Sequence, residues 1–139
     1  MIQVLICTHE EMALGVKKTT EFIMGYQENL HAIAAYTNEH LDYQKMIAEF
    51  LEKHSSEPVV VLTDIVGGSV NTELGNMVDQ YQNLHIISGV NLPMVVQLLL
   101  SNEKTLDETI QKTIEEAKNG IQYMNQTLTK QTDSLSDDF

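Results

Sequence analysis

Four short apolar runs punctuate the chain, and between them apolar residues recur at the spacing of a helix face. Ile2 to Cys7 is the first run and stops at Thr8-His9, and His31 to Tyr36 is a weaker second. Pro58 to Thr63 is the strongest, and Leu84 to Ser88 is the fourth. The runs are continuous instead of alternating, the pattern of strands buried on both faces in a parallel sheet. Helical spacing links Met12, Val16 and Ile23, and further on Leu41, Met46, Ile47, Phe50 and Leu51. It returns over Val70, Leu74, Met77, Val78 and Tyr81, then over Leu92 to Leu100, where Pro93 suits a first turn. A fifth helix is expected from Leu106 to Lys118, ended by Asn119-Gly120. This alternation predicts βαβ units with right-handed crossovers, hence a three-layer α/β/α sandwich on a mostly parallel four-stranded sheet. Ile121 to Met124 reads as one more short strand. Residues 1–126 make the expected domain; 127–139, polar and acidic with Asp133, Asp137 and Asp138, read as a disordered tail.

Charge narrows the partners. Twenty acidic against 8 basic side chains give a net charge of −12. Nothing in such a chain neutralises a row of phosphates, so nucleic acid and anionic membranes are poor partners, whereas a basic protein suits it. No apolar stretch approaches the ~20 residues needed to cross a bilayer, and the first residues lack a basic leader, so a cytoplasmic protein is expected. Cys7 lies inside an apolar run and reads as a buried, inert thiol. His31, His40, His54 and His85 share no metal-ligand spacing, so no metal is assigned. Neither nucleotide-binding glycine pattern occurs, and no cofactor is expected.

In an open parallel sheet, ligands bind beyond the carboxyl ends of the strands, where the direction of winding reverses. The residues there are Thr8, His9, Glu10 and Glu11 after the first strand, and Asp64 to Ser69 after the third. Gly89, Val90 and Asn91 follow the fourth. A switch point between strands one and three would unite His9, Asp64 and the Gly67-Gly68-Ser69 turn. An imidazole is a competent nucleophile at neutral pH, and a carboxylate on one ring nitrogen leaves the other with its lone pair exposed. Two glycines admit an anion close to the backbone, and a serine at the helix start adds a donor. Taken singly, each residue also suits a plain role: a polar loop histidine, a turn aspartate, a glycine loop before a helix.

Three segments carry a resemblance to a known family. Val4-Leu-Ile-Cys-Thr-His9, Leu62-Thr-Asp-Ile-Val-Gly-Gly-Ser69 and Ile87-Ser-Gly-Val-Asn-Leu-Pro-Met94 are similar to enzyme IIA of the mannose/fructose/sorbose class of the sugar phosphotransferase system, in order over about residues 1–126. The resemblance implies a phosphotransferase with a phosphohistidine intermediate. His9 would accept phosphate on Nε2 from phospho-HPr and pass it to enzyme IIB, serving membrane permease subunits indirectly. It implies that Asp64 orients the ring and that Thr8, Gly67, Gly68 and Ser69 surround the phosphoryl oxygens. It also implies a homodimer in which a short antiparallel strand, fitted by Gly120 to Met124, pairs with the sheet of the other subunit. Glu10 stands where many members have glycine, and Val70 where many have proline.

Two other readings compete. A receiver domain would take phosphate on Asp64 and hold Mg²⁺ with Glu10 and Glu11, but it lacks a suitably placed lysine and leaves His9 idle. A phosphorylation-sensing regulatory module would carry the same phospho-His9 without serving transport.

Overall fold

In a computed structural model, which describes residues 1–137, the apolar runs become one parallel sheet. Strands β1 (Gln3–His9), β2 (Leu30–Ala35), β3 (Val59–Thr63) and β4 (Leu84–Ser88) lie in the order β2-β1-β3-β4. All pairings are parallel, with Cys7 level with Ile33 on one side and with Thr63 on the other. The chain adds β2 on one side of β1 and β3 on the other, so the winding reverses between β1 and β3, the condition under which His9 and Asp64 meet.

Period-two alternation sends successive side chains to opposite faces, and both faces are dry. Val4, Ile6, Val60 and Leu62 pack with Ala13, Val95, Leu98 and Ala117 from helices α1 (Met12–Met24), α4 (Leu92–Leu100) and α5 (Leu106–Asn119). Leu5, Cys7, Val59 and Val61 pack with Ile47, Leu51, Val70 and Leu74 from α2 (Tyr43–Lys53) and α3 (Ser69–Gly75). This is the three-layer α/β/α arrangement. Asn91 caps α4 by accepting from Met94 N–H, and its Nδ2 donates to the Ala117 carbonyl, so one side chain ties α4 to the end of α5. Gly120 completes that junction: a Cβ there would lie 2.5 Å from Pro93 Cγ.

The carboxyl end of the chain departs from expectation. Residues 121–123 form no strand, and Met124 opens helix α6 (Met124–Asp137). The expected antiparallel strand is therefore absent from the four-stranded sheet of the single chain. Its backbone is instead drawn into the next helix, where the Tyr123 carbonyl accepts from Gln126 and Thr127 N–H. Residues 127–137, expected as a disordered tail, continue that helix; no glycine or proline interrupts them, and Thr129 Oγ1 donates to the Asn125 carbonyl. The rest of that expected tail, 138–139, lies outside the described residues. Among the described residues, no helix is long and apolar enough to cross a membrane.

Leu62, the next-to-last residue of β3, is wholly buried. Leu62→Ala should destabilise the protein by about 2–5 kcal/mol, read as a lowered midpoint in urea unfolding.

Candidate functional site

His9 closes β1, and Asp64 follows the last residue of the neighbouring strand β3. The carboxylate collects three donors. Its Oδ2 accepts from the His9 backbone N–H at 3.0 Å and meets His9 Nδ1 at 2.8 Å, while Oδ1 accepts from Ile65 N–H at 3.1 Å. Burial works to raise the Asp64 carboxyl, but the bonds from the His9 backbone and ring, the charge attraction of that ring and the carboxylate's own local backbone bond outweigh it. The group therefore titrates below the usual carboxylate range. A carboxylate can only accept, so Nδ1 carries the hydrogen and the lone pair is left on Nε2.

The Nε2 side is lined with hydroxyls. Ser69 Oγ stands 3.1 Å from Nε2, and the Tyr36 hydroxyl stands 2.6 Å from Ser69 Oγ. The Tyr36 ring stacks on the imidazole, with centroids 5.6 Å apart and planes at 23°. Gly68 is pressed against the ring from the other strand end: a methyl there would lie 2.9 Å from His9 Cε1 and 2.9 Å from Ile65 Cγ2. Gly67, at φ 82°, supplies the left-handed turn that brings this loop round. The structure thus unites His9, Asp64, Gly67, Gly68 and Ser69, residues about 55 to 60 positions apart in the chain.

Thr8 is not part of this group. Its side chain is fully buried on the opposite face of β1, and its hydroxyl accepts from Ala13 N–H at 2.8 Å at the start of α1. The period of the strand decides this: neighbours in sequence cannot both face the same side. Thr8 anchors a helix and does not reach the ring.

Glu10 adopts φ 54°, in the left-handed region where glycine is at ease and another residue is strained by about 1–2 kcal/mol. The Glu10 side chain is exposed, and its backbone N–H donates to the Ala35 carbonyl at 2.9 Å. Val70 occupies the second position of α3, where a backbone N–H needs no helical partner, so proline and valine are both compatible there. Its side chain is fully buried with Leu74.

Tyr36 was legible from the sequence only as the end of an apolar run. The strand stops one residue earlier, at Ala35, and Tyr36 turns out of it at φ 70°. Cys7 lies behind the site, its thiol pushed up to about 12 by burial and then by the charge of Asp64, and so kept protonated. Glu10 and Glu11 do not converge with Asp64: no group of three or more potential metal ligands exists among the described residues. Asp64 Oδ2 is engaged by His9, and Oδ1 accepts from Ile65 N–H.

Known proteins share the sequence and fold of this chain. The family model described as the fructose IIA component of the phosphotransferase system matches residues 3–128. The mannose-specific EIIAB component of Escherichia coli K12 is 28% identical over 127 residues, covering 88% of this chain and 39% of that protein. This chain therefore spans about two-fifths of that relative's length. The fructose-specific EIIA component of Bacillus subtilis 168 is 27% identical over 108 residues, covering 74% of this chain and 72% of that one. A crystal structure from Klebsiella pneumoniae, described as a phosphoenolpyruvate-dependent sugar phosphotransferase system permease, superposes with a TM-score of 0.83 at 31% identity, covering 91% of this chain and 93% of that one. The EIIA component of Streptococcus agalactiae shares the fold, with a TM-score of 0.80 at 24% identity over 91% of this chain and 99% of that one. With a match along nearly its whole length, the chain belongs to the mannose/fructose-type enzyme IIA family of the sugar phosphotransferase system.

Proposed function

We propose that this chain relays a phosphoryl group in a phosphoenolpyruvate-dependent sugar phosphotransferase system, taking it from phospho-HPr on His9 and passing it to enzyme IIB. The observation that carries this reading is the 2.8 Å contact between Asp64 Oδ2 and His9 Nδ1. It assigns the hydrogen to Nδ1, aims the Nε2 lone pair outward and offsets the positive charge that the ring gains as the adduct forms. Ser69 Oγ, 3.1 Å from Nε2, and the close backbone of Gly67 and Gly68 are suited to bind the phosphoryl oxygens.

The same reading extends to a homodimer. β4 is an edge strand, and beside it lies a groove of about 360 Å³ lined by Val66, Ile86, Met94, Ile110, Ile114 and Ile121. Ser88 Oγ, on the wall of this groove, is buried without a hydrogen-bond partner. Ile121 and Tyr123 are 78% and 65% exposed. A second copy laying residues 121–124 along this edge would cover the apolar wall and supply the missing partner.

Phosphoenolpyruvate with the general phosphotransfer proteins should add one phosphate per chain. The label should be lost in mild acid and kept in alkali, as for a phosphoramidate. His9→Ala should abolish it; labelling that persists in His9→Ala would remove the relay role.

Asp64→Asn should slow transfer by at least about tenfold, since the comparable change in a catalytic triad costs far more. The carboxyl is depressed in the folded protein, so its stabilising effect is present above the ordinary value of ~3.9 and fades as pH falls through the lower folded value. The stability gap between wild type and Asp64→Asn should therefore narrow on acidification, as urea midpoints at several pH values will test.

Analytical ultracentrifugation should give a dimer for the wild type and a monomer for the doubly substituted Ile121→Asp, Tyr123→Asp chain. A wild-type monomer at micromolar concentration would count against the strand exchange.

A further inference from the structure

The hydroxyls around Nε2 form a chain whose direction can be read outward from Asp64. With the Nδ1 hydrogen committed to that carboxylate, Nε2 is an acceptor, and only Ser69 can donate across the 3.1 Å gap. Serine has one hydrogen. Once it is spent on Nε2, the 2.6 Å contact to Tyr36 must be made by the tyrosine hydrogen. The Tyr36 oxygen then accepts from the Tyr43 hydroxyl at 3.3 Å. Tyr43 is buried at 4% exposure and packs edge-on against Tyr36, with centroids 5.3 Å apart. Burial first, and then the bond to Tyr36, push its hydroxyl up to about 12, so it keeps its hydrogen.

We propose that Tyr36 is a positioning residue of the phosphoryl site, acting through Ser69: by donating to Ser69 Oγ it leaves the serine hydrogen free to point only towards Nε2 and the phosphoryl group bound there. This rests on the relay reading and deepens it. During transfer the Nε2 lone pair forms the N–P bond while the bond from phosphorus to the donor breaks, and the donor atom takes back its electron pair. The Nδ1 hydrogen stays between the ring and Asp64. The serine hydrogen, displaced from the lone pair, swings to a phosphoryl oxygen while Oγ remains held by Tyr36. No proton is gained or lost. The tyrosine ring, stacked on the imidazole, shields one face of the adduct from water. The backbone agrees with a role of this kind: Tyr36 holds a left-handed φ of 70°, the sort of strain that persists where surrounding contacts over-determine it.

The test compares the full-length wild type with Tyr36→Phe, Ser69→Ala and the double variant. Single-turnover transfer from the phosphoenolpyruvate-driven proteins should slow about five- to tenfold in Tyr36→Phe, the scale of one lost neutral hydrogen bond. In the Ser69→Ala background the same change should have no further effect. In the unphosphorylated protein, the ¹⁵N signal of His9 Nε2 should move towards the value of a nitrogen without a hydrogen bond in Tyr36→Phe, as it does in Ser69→Ala. A rate and a ¹⁵N signal equal to wild type would overturn the proposal, and so would an equal loss in the presence and absence of Ser69. Should wild type accept no phosphate, the relay reading fails instead, and the ¹⁵N signal alone decides whether Tyr36 positions Ser69.

Discussion

The bond between His9 and Asp64 depends on one topological constraint, the adjacency of β1 and β3. The two residues are 55 positions apart, and they meet only because the strands pair in parallel with Cys7 level with Thr63. A slip of one residue would turn His9 to the opposite face and leave a half-buried carboxylate without the two donors that His9 supplies. The dry cores on the two faces of the sheet hold that register. In this sense the wholly buried run Val59 to Leu62 supports the site by holding β3 in place.

Backbone strain gathers where the site is built. Glu10 and Tyr36, the two non-glycine residues with positive φ among the described residues, directly follow His9 and Ala35, which are level in the β1–β2 pair. Each turns the chain sharply out of its strand, and the second turn lays an aromatic ring over the first strand's histidine. Left-handed geometry costs about 1–2 kcal/mol per residue, a noticeable share of the roughly 5–15 kcal/mol by which a domain is stable. The contacts among Tyr36, Tyr43 and Ser69 are among those that hold the ring there.

A net charge of −12 sets a second condition. The overall field of such a protein would oppose the phosphoryl group that the proposed relay brings in, so in that reading attraction has to be local. Asp64 adds a negative charge but commits it to the Nδ1 side of the ring, while the Nε2 side presents hydroxyls and close backbone. Charge is thus partitioned across a single imidazole, the carboxylate behind it and neutral donors in front.

The four strands and five of the six helices among the described residues were legible in the hydrophobic pattern, because burial on both faces leaves continuous runs and helix faces leave their own period. The reversal between β1 and β3 was only a condition under which the site residues would meet. His9, Asp64 and the Gly67-Gly68-Ser69 turn were legible too, since ends of parallel strands are where such chemistry gathers and the motifs there resemble a known family. Thr8 was misassigned because adjacency in sequence resembles adjacency in space until the strand pleat sends the side chain to α1. In the single chain, Ile121 to Met124 forms a short link and the start of a helix, because its backbone hydrogen bonds are made locally, to Lys118 and from Gln126 and Thr127, and not to the edge strand β4. Tyr36 was marked in the sequence only as the end of an apolar run, with no sign of a place beside His9. Its place over His9 follows from a left-handed turn and from the packing of α2 through Tyr43, and pairings between residues far apart in sequence are decided only when the tertiary structure closes.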